Sequence, residues 1–252
     1  MKKKEEKIRG VFAYKTDPGR VRVTNEDHAA VLTCSAGYVL MVVCDGMGGH
    51  NKGDYASKLA IDTVCEEFRK IAKFLTPLSV RNWITRTVRK ANSIIYNEAQ
   101  TGEEYKDMGT TLVMALFYKD SIFIANVGDS RAYAVRYAGL KQLTQDQTYV
   151  EYLYRTGKMT KEETEVSEKR HILMNALGSF PSVSCDISVV TNIKSPILLC
   201  SDGLYNNASE AEIHRALRSN DSVEQKIDTL IGIANANGGS DNIGIAYWEA
   251  IE

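Results

Sequence analysis

The chain has 252 residues, of which 44% are hydrophobic and 25% charged, a composition typical of a globular protein with one large core. Its formal net charge of −1 provides no global field that would favour nucleic acid or an anionic membrane as a partner. The charged N-terminus lacks the apolar segment of a signal peptide, and no apolar run approaches the ~18 residues of a membrane span.

The N-terminal half of the chain predicts strands followed by two helices. Three short apolar runs with strand-like composition come first, at residues 11–16, 28–32 and 37–43. Residues 56–75 and 80–95 then keep apolar side chains at helical spacing, which predicts two long amphipathic helices. Ser79 is the predicted N-cap of the second helix, because a serine hydroxyl can accept a hydrogen bond from a free amide in the first turn.

The C-terminal half predicts further strands with short helices between them. Apolar runs typical of strands lie at residues 110–118, 121–127, 131–136, 185–191, 196–200 and 242–248. Helices are predicted from two capping-box patterns, at 160–163 and 209–212, and over roughly 222–235. Clustered strands with helices inserted in pairs indicate an α+β fold of mostly antiparallel sheets. Because no repeat, low-complexity tract or linker interrupts the pattern, we expect a single domain over residues 1–252.

Acidic residues recur where the predicted strands begin or end, usually beside glycine. They are Glu26, Asp27, Asp45, Asp129, Asp202 and Asp241. A lone carboxylate is costly to bury, and several converging carboxylates would repel one another unless cations neutralised them. Carboxylate, carbonyl and water oxygens are the ligands that suit Mg²⁺ or Mn²⁺. The alternative is ordinary turn chemistry of aspartate and glycine, since spacing alone does not show that these residues meet.

The glycine-rich loop after Asp45 does not fit two common phosphate-binding patterns. A dinucleotide fingerprint would need a third glycine where Asn51 stands. A P-loop would need lysine followed by serine or threonine after Gly53, whereas the chain has Asp54 and Tyr55. Nucleotide binding through this loop is therefore not expected.

The cysteine pattern indicates a reducing compartment. There are five cysteines, an odd number without a C-x-x-C pair, so neither a disulfide framework nor a structural zinc site is expected. Cys44 and Cys200 lie in apolar strand ends and are expected to pack in the core. We expect a cytoplasmic protein.

Eight short motifs, in this order along the chain, resemble the metal-dependent type-2C Ser/Thr protein phosphatase family, particularly its bacterial branch. The motifs are GRVRVTNED (19–27), VCDGMGGHNKGDYAS (43–57), MGTT (108–111), VGDSRAY (127–133), LTQDQT (143–148), NALG (175–178), SDGL (201–204) and GGSDNI (238–243). The resemblance spans about residues 8–249. It implies a four-layer αββα sandwich, in which two antiparallel sheets are flanked by helix pairs, with a two-metal site at one rim.

The resemblance also assigns metal ligands. Asp45 is expected to bridge two Mg²⁺ or Mn²⁺ ions, and the Gly46 carbonyl is expected to reach one of them. Asp202 and Asp241 resemble the ligands of the first ion. Asp27 resembles an outer ligand of the second ion, acting through water.

Four further residues have implied roles around these ligands. Glu26 is expected to hold waters beside Asp27, and Asp129 is expected to join Asp202 at a third, weaker ion. Arg22 stands where the family holds the substrate phosphate, a task that suits a forked guanidinium; its alternative is a surface ion pair with Glu26 or Asp27. Asn242 is expected to orient the preceding aspartate. The alternative for Asp129 is a turn with a salt bridge to Arg131.

The implied reaction is hydrolysis of phosphoserine or phosphothreonine in proteins by direct attack of a hydroxide that bridges the two ions. No phospho-enzyme intermediate is expected, and a Ser/Thr kinase or its substrates are the expected partners of a monomeric enzyme. The general acid is open, because Met47 stands where some members have histidine and His50 is only a candidate. Two alternative functions also remain open: an inactive binding module, and a phosphodiesterase or small-molecule phosphatase.

The chain departs from the bacterial pattern in three places. Gln147 stands where histidine is usual, residues 167–171 replace a His-Pro-x-Arg-Asn segment, and Gly244 replaces a threonine. The first two lie in or near the family's mobile flap, here about residues 145–178. They are expected to affect substrate choice more than chemistry, and Gly244 is expected to loosen the last strand slightly.

Overall fold

The computed structural model describes residues 10–48, 52–191 and 195–251. Its strands are β1 (Gly10–Asp17), β2 (Asp27–Thr33), β3 (Val39–Met47), β4 (Gly109–Thr110), β5 (Leu112–Tyr118), β6 (Ser121–Val127), β7 (Arg131–Arg136), β8 (Gly139–Gln142), β9 (Asp186–Thr191), β10 (Ile197–Cys200) and β11 (Ile243–Ala250). Its helices are α1 (Lys52–Arg69), α2 (Pro77–Glu98), α3 (Tyr149–Arg155), α4 (Lys161–Val166), α5 (Asp202–Tyr205), α6 (Glu210–Leu217) and α7 (Val223–Ala236).

The strands form two antiparallel sheets. One has the order β1-β11-β10-β7-β8, and the other has the order β2-β3-β5-β6-β9 with β4 paired to β3. Strands of both sheets bury apolar side chains on both faces; Leu112–Tyr118, for example, is buried throughout. A strand covered on both faces reads as a continuous apolar run, and this explains why residues 110–118 were recognisable as a strand without alternation.

Three apolar clusters fill the spaces between four layers. The cluster between the sheets includes Phe117 and Trp248, whose ring centroids lie 4.6 Å apart. The helices α1 and α2 cover the second sheet through residues such as Phe68 and Ile84. The helices α5 to α7 cover the first sheet through residues such as Leu230. Burial of each such side chain contributes about 1.5–3 kcal/mol to stability. The two antiparallel sheets with helices on their outer faces confirm the predicted α+β fold and its αββα layers.

Two details of the first helix pair differ from prediction. Helix α1 ends at Arg69 rather than continuing to residue 75, because the chain must reverse before α2 packs on the same sheet. The prediction of Ser79 as N-cap is wrong: Thr76 is the N-cap, followed by Pro77. The Thr76 hydroxyl accepts from the Ser79 amide, and the Ser79 hydroxyl accepts from the Thr76 amide, both at 3.1 Å. A capping box thus places Ser79 three residues into the helix.

The predicted strand at 110–118 is divided, and several short elements were missed. Thr111 separates β4 from β5 because its amide bonds to the Asp45 carbonyl at 2.8 Å instead of continuing a ladder. Elements β8, α3 and α5 are four to seven residues long, which is too short for a clear period. Across the described ranges, none of the helices combines the length and apolarity that a membrane crossing needs.

Candidate metal centre

Asp27 and Asp45 face each other across two neighbouring strands. In the antiparallel register of β2 and β3, these two residues are direct partners. The main chain of Asp45 is fixed by Thr111 and Thr110: its amide donates to Thr111 Oγ1 at 3.0 Å, and its carbonyl accepts from Thr110 Oγ1 at 2.8 Å. Two carboxylates predicted at strand ends are therefore neighbours on a rigid sheet.

The Asp27 carboxylate is buried, since only 2% of the residue is exposed, and it reaches the opposite sheet. Ser201 Oγ donates to Asp27 Oδ2 at 2.6 Å and accepts from the Gly244 amide at 2.7 Å. A Cβ at Gly244 would lie 3.1 Å from Asp27 Oδ2. Gly244 is thus a close-approach position beneath the carboxylate, a role that the sequence did not indicate.

Asp202 and Asp241 come to the same rim from the first sheet. Asp202 is the first residue of α5, and its Oδ2 accepts from Asn206 Nδ2 at 3.0 Å. The two motifs pack so closely that a Cβ on Gly203 would overlap the carbonyl of Asn242. This contact requires glycine, and it brings Asp202 beside Asp241.

Asn242 ties the segment before Asp27 to the last strand. Its Nδ2 donates to the carbonyls of Pro18 and Thr24 at 2.9 and 2.8 Å, and its Oδ1 accepts from the Glu26 amide at 2.8 Å. Its own amide donates to Asp241 Oδ1 at 2.9 Å. The residue therefore fixes both the loop that carries Glu26 and the orientation of Asp241.

Glu26 and Gly46 lie on the opposite side of this rim. The Gly46 amide donates to the Glu26 carbonyl at 3.1 Å. A Cβ on Gly46 would overlap the Gly53 carbonyl, and one on Gly53 would overlap the Glu26 carboxylate. The glycines after Asp45 thus let the loop and the start of α1 pack directly against the acidic rim.

Asp129 follows the end of β6 and is also buried, with 8% of the residue exposed. Gly128 precedes it with a φ of +97°, a left-handed conformation that favours glycine. The Tyr205 hydroxyl donates to the Asp129 carbonyl at 3.1 Å. The predicted alternative of a salt bridge with Arg131 is not what forms, because Arg131 pairs with Asp146 instead, at 2.6 Å.

Burial and mutual repulsion raise the pKa of four of the carboxyls, those of Asp27, Asp45, Asp129 and Asp202. Burial is the main cause for Asp27 and Asp129, whose pKa values rise to about 8, and for Asp202, whose pKa rises to about 6. The charge of Asp202 is a further cause for both Asp27 and Asp129. The pKa of Asp45 is raised well above its usual value by burial and by four neighbouring aspartates. The acids predicted at strand ends therefore share one electrostatic environment.

These shifts predict that the metal-free protein loses stability as the pH rises. When a carboxyl has a higher pKa in the folded state, the folded state binds more protons between the two pKa values, so the free energy of unfolding falls across that window. For Asp27 the window runs from about 4, its ordinary value, to about 8. Denaturant unfolding in a chelator at several pH values should show this decline, and Asp27→Asn should make it shallower, since Asp45, Asp129 and Asp202 still contribute. A constant or rising stability over the window would contradict the expectation.

The donor set fits a hard divalent cation. Asp27 Oδ1 is buried and has no hydrogen-bond partner within the described ranges, and the converging ligands are all oxygens, which Mg²⁺ and Mn²⁺ prefer. Considering the residues that the structure describes, no three acidic, histidine or cysteine side chains form a ready-made metal cage. Side-chain movement would therefore be needed before these carboxylates could enclose an ion.

Arg22 lies at the outer edge of this rim. Its side chain is 55% exposed, and Nη2 donates to Asp241 Oδ2 at 2.8 Å. Arg22 therefore forms an ion pair with Asp241. The alternative considered from the sequence was an ion pair with Glu26 or Asp27. His50, the candidate general acid, lies outside the described residues.

A cleft of about 810 Å³ opens beside the acids. Asp129 and Asp202 line it together with residues of the flap, including Arg170 and His171. His171 Nδ1 lies 4.0 Å from Asp202 Oδ2. The sequence did not single out His171 or Ser201 as site residues; Ser201 could have been noticed because it begins the SDGL motif.

Comparison with known proteins places this arrangement in a family. The profile of protein phosphatase 2C matches residues 20–244. The serine/threonine phosphatase stp of Listeria monocytogenes is 37% identical over 237 residues, which cover 94% of each chain. The S. agalactiae serine/threonine phosphatase structure superposes with a TM-score of 0.92 at 31% identity, covering 96% of this chain and 100% of the other.

A further solved structure bears on metal binding. The catalytic domain of the serine/threonine protein phosphatase PstP, in complex with 2 manganese ions, superposes with a TM-score of 0.83 at 30% identity, covering 96% of this chain and 99% of that one. The family profile covers most of the chain, and the similarity extends over nearly the full length of each relative. The chain belongs to the protein phosphatase 2C family.

Proposed function

We propose that this chain is a serine/threonine protein phosphatase that depends on Mg²⁺ or Mn²⁺. The observation that carries the proposal is the convergence of Asp27, Asp45, Asp202 and Asp241 at one rim of the sandwich, beside an open cleft. The names of the relatives and the manganese ions bound by PstP support it.

We propose that four aspartates hold two ions and that a fifth contributes to a third. Asp45 would contact both ions because it is central among the acids, with the Gly46 carbonyl beside it. Asp202 and Asp241 would hold the first ion, and Asp27 would act on the second through water. Glu26, next to Asp27 in the chain, would hold waters around the second ion.

The third site would lie between Asp129 and Asp202. Both residues line the cleft, and the charge of Asp202 acts on Asp129. Asp129 is also the acid whose turn contacts the base of the flap, through the bond between the Gly128 carbonyl and the Gln147 amide at 3.0 Å.

The reaction proposed is direct hydrolysis of the phosphate monoester. When bound, two divalent ions would lower the pKa of a coordinated water and would neutralise charge on the phosphoryl group. Arg22 is exposed enough to donate two N–H groups to the phosphate, and its ion pair with Asp241 keeps it at the rim. Asn242 fixes the position of the Asp241 side chain, through its amide, and of the loop that carries Glu26, through its Oδ1.

No thiol near the site is suited to form a phospho-enzyme, within the part of the chain that the structure describes. Cys44 and Cys200 are fully buried, and burial raises the pKa of Cys200 to about 12 and that of Cys44 well above its usual value. A buried thiol of raised pKa is a poor nucleophile. This supports attack by water in a single step.

The proposed substrates are phosphoserine and phosphothreonine proteins. Such a phosphatase requires a kinase activity that supplies its substrates, so we propose a Ser/Thr kinase or its targets as partners of a monomeric enzyme. We also propose a cytoplasmic location, supported by the odd number of cysteines and by their presence as free thiols.

The test is metal-titrated hydrolysis of a phosphothreonine peptide by the chelator-treated protein. Activity should appear with added Mn²⁺ or Mg²⁺, and the rate on bis(p-nitrophenyl) phosphate, a diester, should be lower by at least about tenfold, because a monoester presents more charge to the ions. Phosphoserine and phosphotyrosine peptides serve as comparisons. No metal-dependent turnover of any monoester would overturn the proposal, and a faster diester reaction would favour a phosphodiesterase.

A further inference from the structure

Gln147 uses all of its hydrogen-bonding groups at the base of the flap. Its side-chain Oε1 accepts from the Gly128 amide at 2.8 Å and from Asn175 Nδ2 at 2.7 Å. Its Nε2 donates to Asp186 Oδ2 at 2.8 Å and approaches the Asn126 carbonyl at 3.5 Å. An amide side chain offers two acceptor sites and two donors, so this residue is fully satisfied.

The backbone of Gln147 adds two further links. Its amide donates to the Gly128 carbonyl at 3.0 Å, and its carbonyl accepts from the Met174 amide at 2.8 Å. Gln147 thus binds both the N–H and the C=O of Gly128, the left-handed residue that directly precedes Asp129.

The same residue closes the neck of the flap. Residue 147 lies near its first end, and Met174 and Asn175 lie near its last end. Thr148 and Leu173 form an isolated bridge beside these contacts. Asp186 begins β9 and pairs with Asn126 of β6. One amide side chain therefore connects the two ends of the flap, the edge strand and the turn that carries Asp129.

We propose that Gln147 is a positioning residue that locks the flap to the Gly128–Asp129 turn, so that a phosphopeptide in the cleft meets the flap and the acidic rim in one fixed geometry. This inference rests on the proposed function. Asp129 and residues of the flap, among them Arg170 and His171, line the same cleft. Displacement of the flap relative to Asp129 would misplace the peptide, and small misplacements of reacting groups have large effects on rate.

The hydrogen bond from Gln147 Nε2 to Asp186 can be tested by exchanging the amide and the carboxylate between the two positions. In Gln147→Glu, the new carboxylate would face Asp186 and repel it. In Asp186→Asn, the amide oxygen still accepts from Gln147, so little should change. In the double variant, the new amide at position 186 would donate to the new carboxylate at position 147, and the contact would be restored with its direction reversed. Gln100→Glu, at an exposed site after α2, controls for the added charge.

The measurement compares kcat and KM for a phosphothreonine peptide with those for p-nitrophenyl phosphate, a small ester that lacks the peptide chain on either side of the phosphate. We expect Gln147→Glu and Gln147→Leu to lower kcat/KM for the peptide by about tenfold or more, with less than about threefold loss for the small ester. The double variant should recover to within about threefold of wild type. Equal losses on both substrates, or a double variant no better than Gln147→Glu, would overturn the proposal.

Hydrogen exchange of the Gly128 amide tests the same proposal without turnover. In Gln147→Leu this amide loses its acceptor and should exchange at least about tenfold faster, whereas Gln100→Glu should leave it unchanged. Unchanged exchange would overturn the positioning role even if the enzyme is active. An inactive wild-type protein with faster exchange in the variant would overturn the proposed function and leave this contact established.

Discussion

Replacing Asp45 by Asn is expected to lower phosphatase activity by about a thousandfold or more, since the ions stabilise the reaction by several kcal/mol and each 1.4 kcal/mol is tenfold. The same change is expected to stabilise the metal-free protein. Asp45 lies among four aspartates whose charges raise its pKa, so a neutral amide removes repulsion and the cost of burying a charge.

Two measurements check these opposite effects. Thermal unfolding in a chelator should give Asp45→Asn a higher midpoint than wild type, and added Mn²⁺ should raise the midpoint of wild type much more than that of the variant. Asp228→Asn is the control, because Asp228 lies on α7 outside the group of rim acids and forms an exposed ion pair with Lys15, and such pairs contribute little. A variant that is less stable without metal, or that keeps the full Mn²⁺ shift, would contradict the assignment of Asp45.

Arg131→Leu is expected to lower the free energy of unfolding by about 3 kcal/mol, the lower end of the range for a buried pair, because it leaves the partly buried Asp146 carboxylate with the Gln142 amide but without its ion-pair partner. The guanidinium donates from Nε to both Asp146 oxygens at 3.0 and 3.1 Å and from Nη2 to Oδ2 at 2.6 Å. It also stacks on Tyr205, with its central carbon 3.5 Å from the ring centroid. The hydroxyl of that tyrosine supports Asp129.

Denaturant unfolding of both single variants and of the double variant separates these contributions. Arg131→Leu with Asp146→Leu should be more stable than Arg131→Leu alone, since the unpaired carboxylate is removed. A double variant that is no more stable than Arg131→Leu would show that stacking on Tyr205, rather than the ion pair, stabilises this region.

The α+β pattern of antiparallel sheets was predictable because central strands such as Leu112–Tyr118 are buried on both faces and read as continuous apolar runs, whereas the αββα sandwich was implied by the family resemblance. Local signals were less reliable where two residues compete, as at Thr76 and Ser79, because either can cap a helix. The missed elements, such as α3, are too short for a period to appear. Their positions depend on the surrounding fold.

The acids at the rim were predictable as candidates, but the residues that hold them were not. Ser201 contacts Asp27 across 174 positions of sequence, and Asn242 contacts the Glu26 amide across 216. Gly244 was expected to loosen a strand, yet it lies directly beneath a carboxylate. Such contacts arise from the pairing of distant strands, and no local pattern records them.

The most direct measurement of the central claim is an anomalous-scattering map from crystals soaked in Mn²⁺. We predict two peaks that share Asp45 as a ligand, one of them also contacted by Asp202 and Asp241, about 3.5–4 Å apart as in two-metal hydrolytic sites. A map without a manganese peak beside Asp45, from crystals of a protein that retains its fold, would contradict the account.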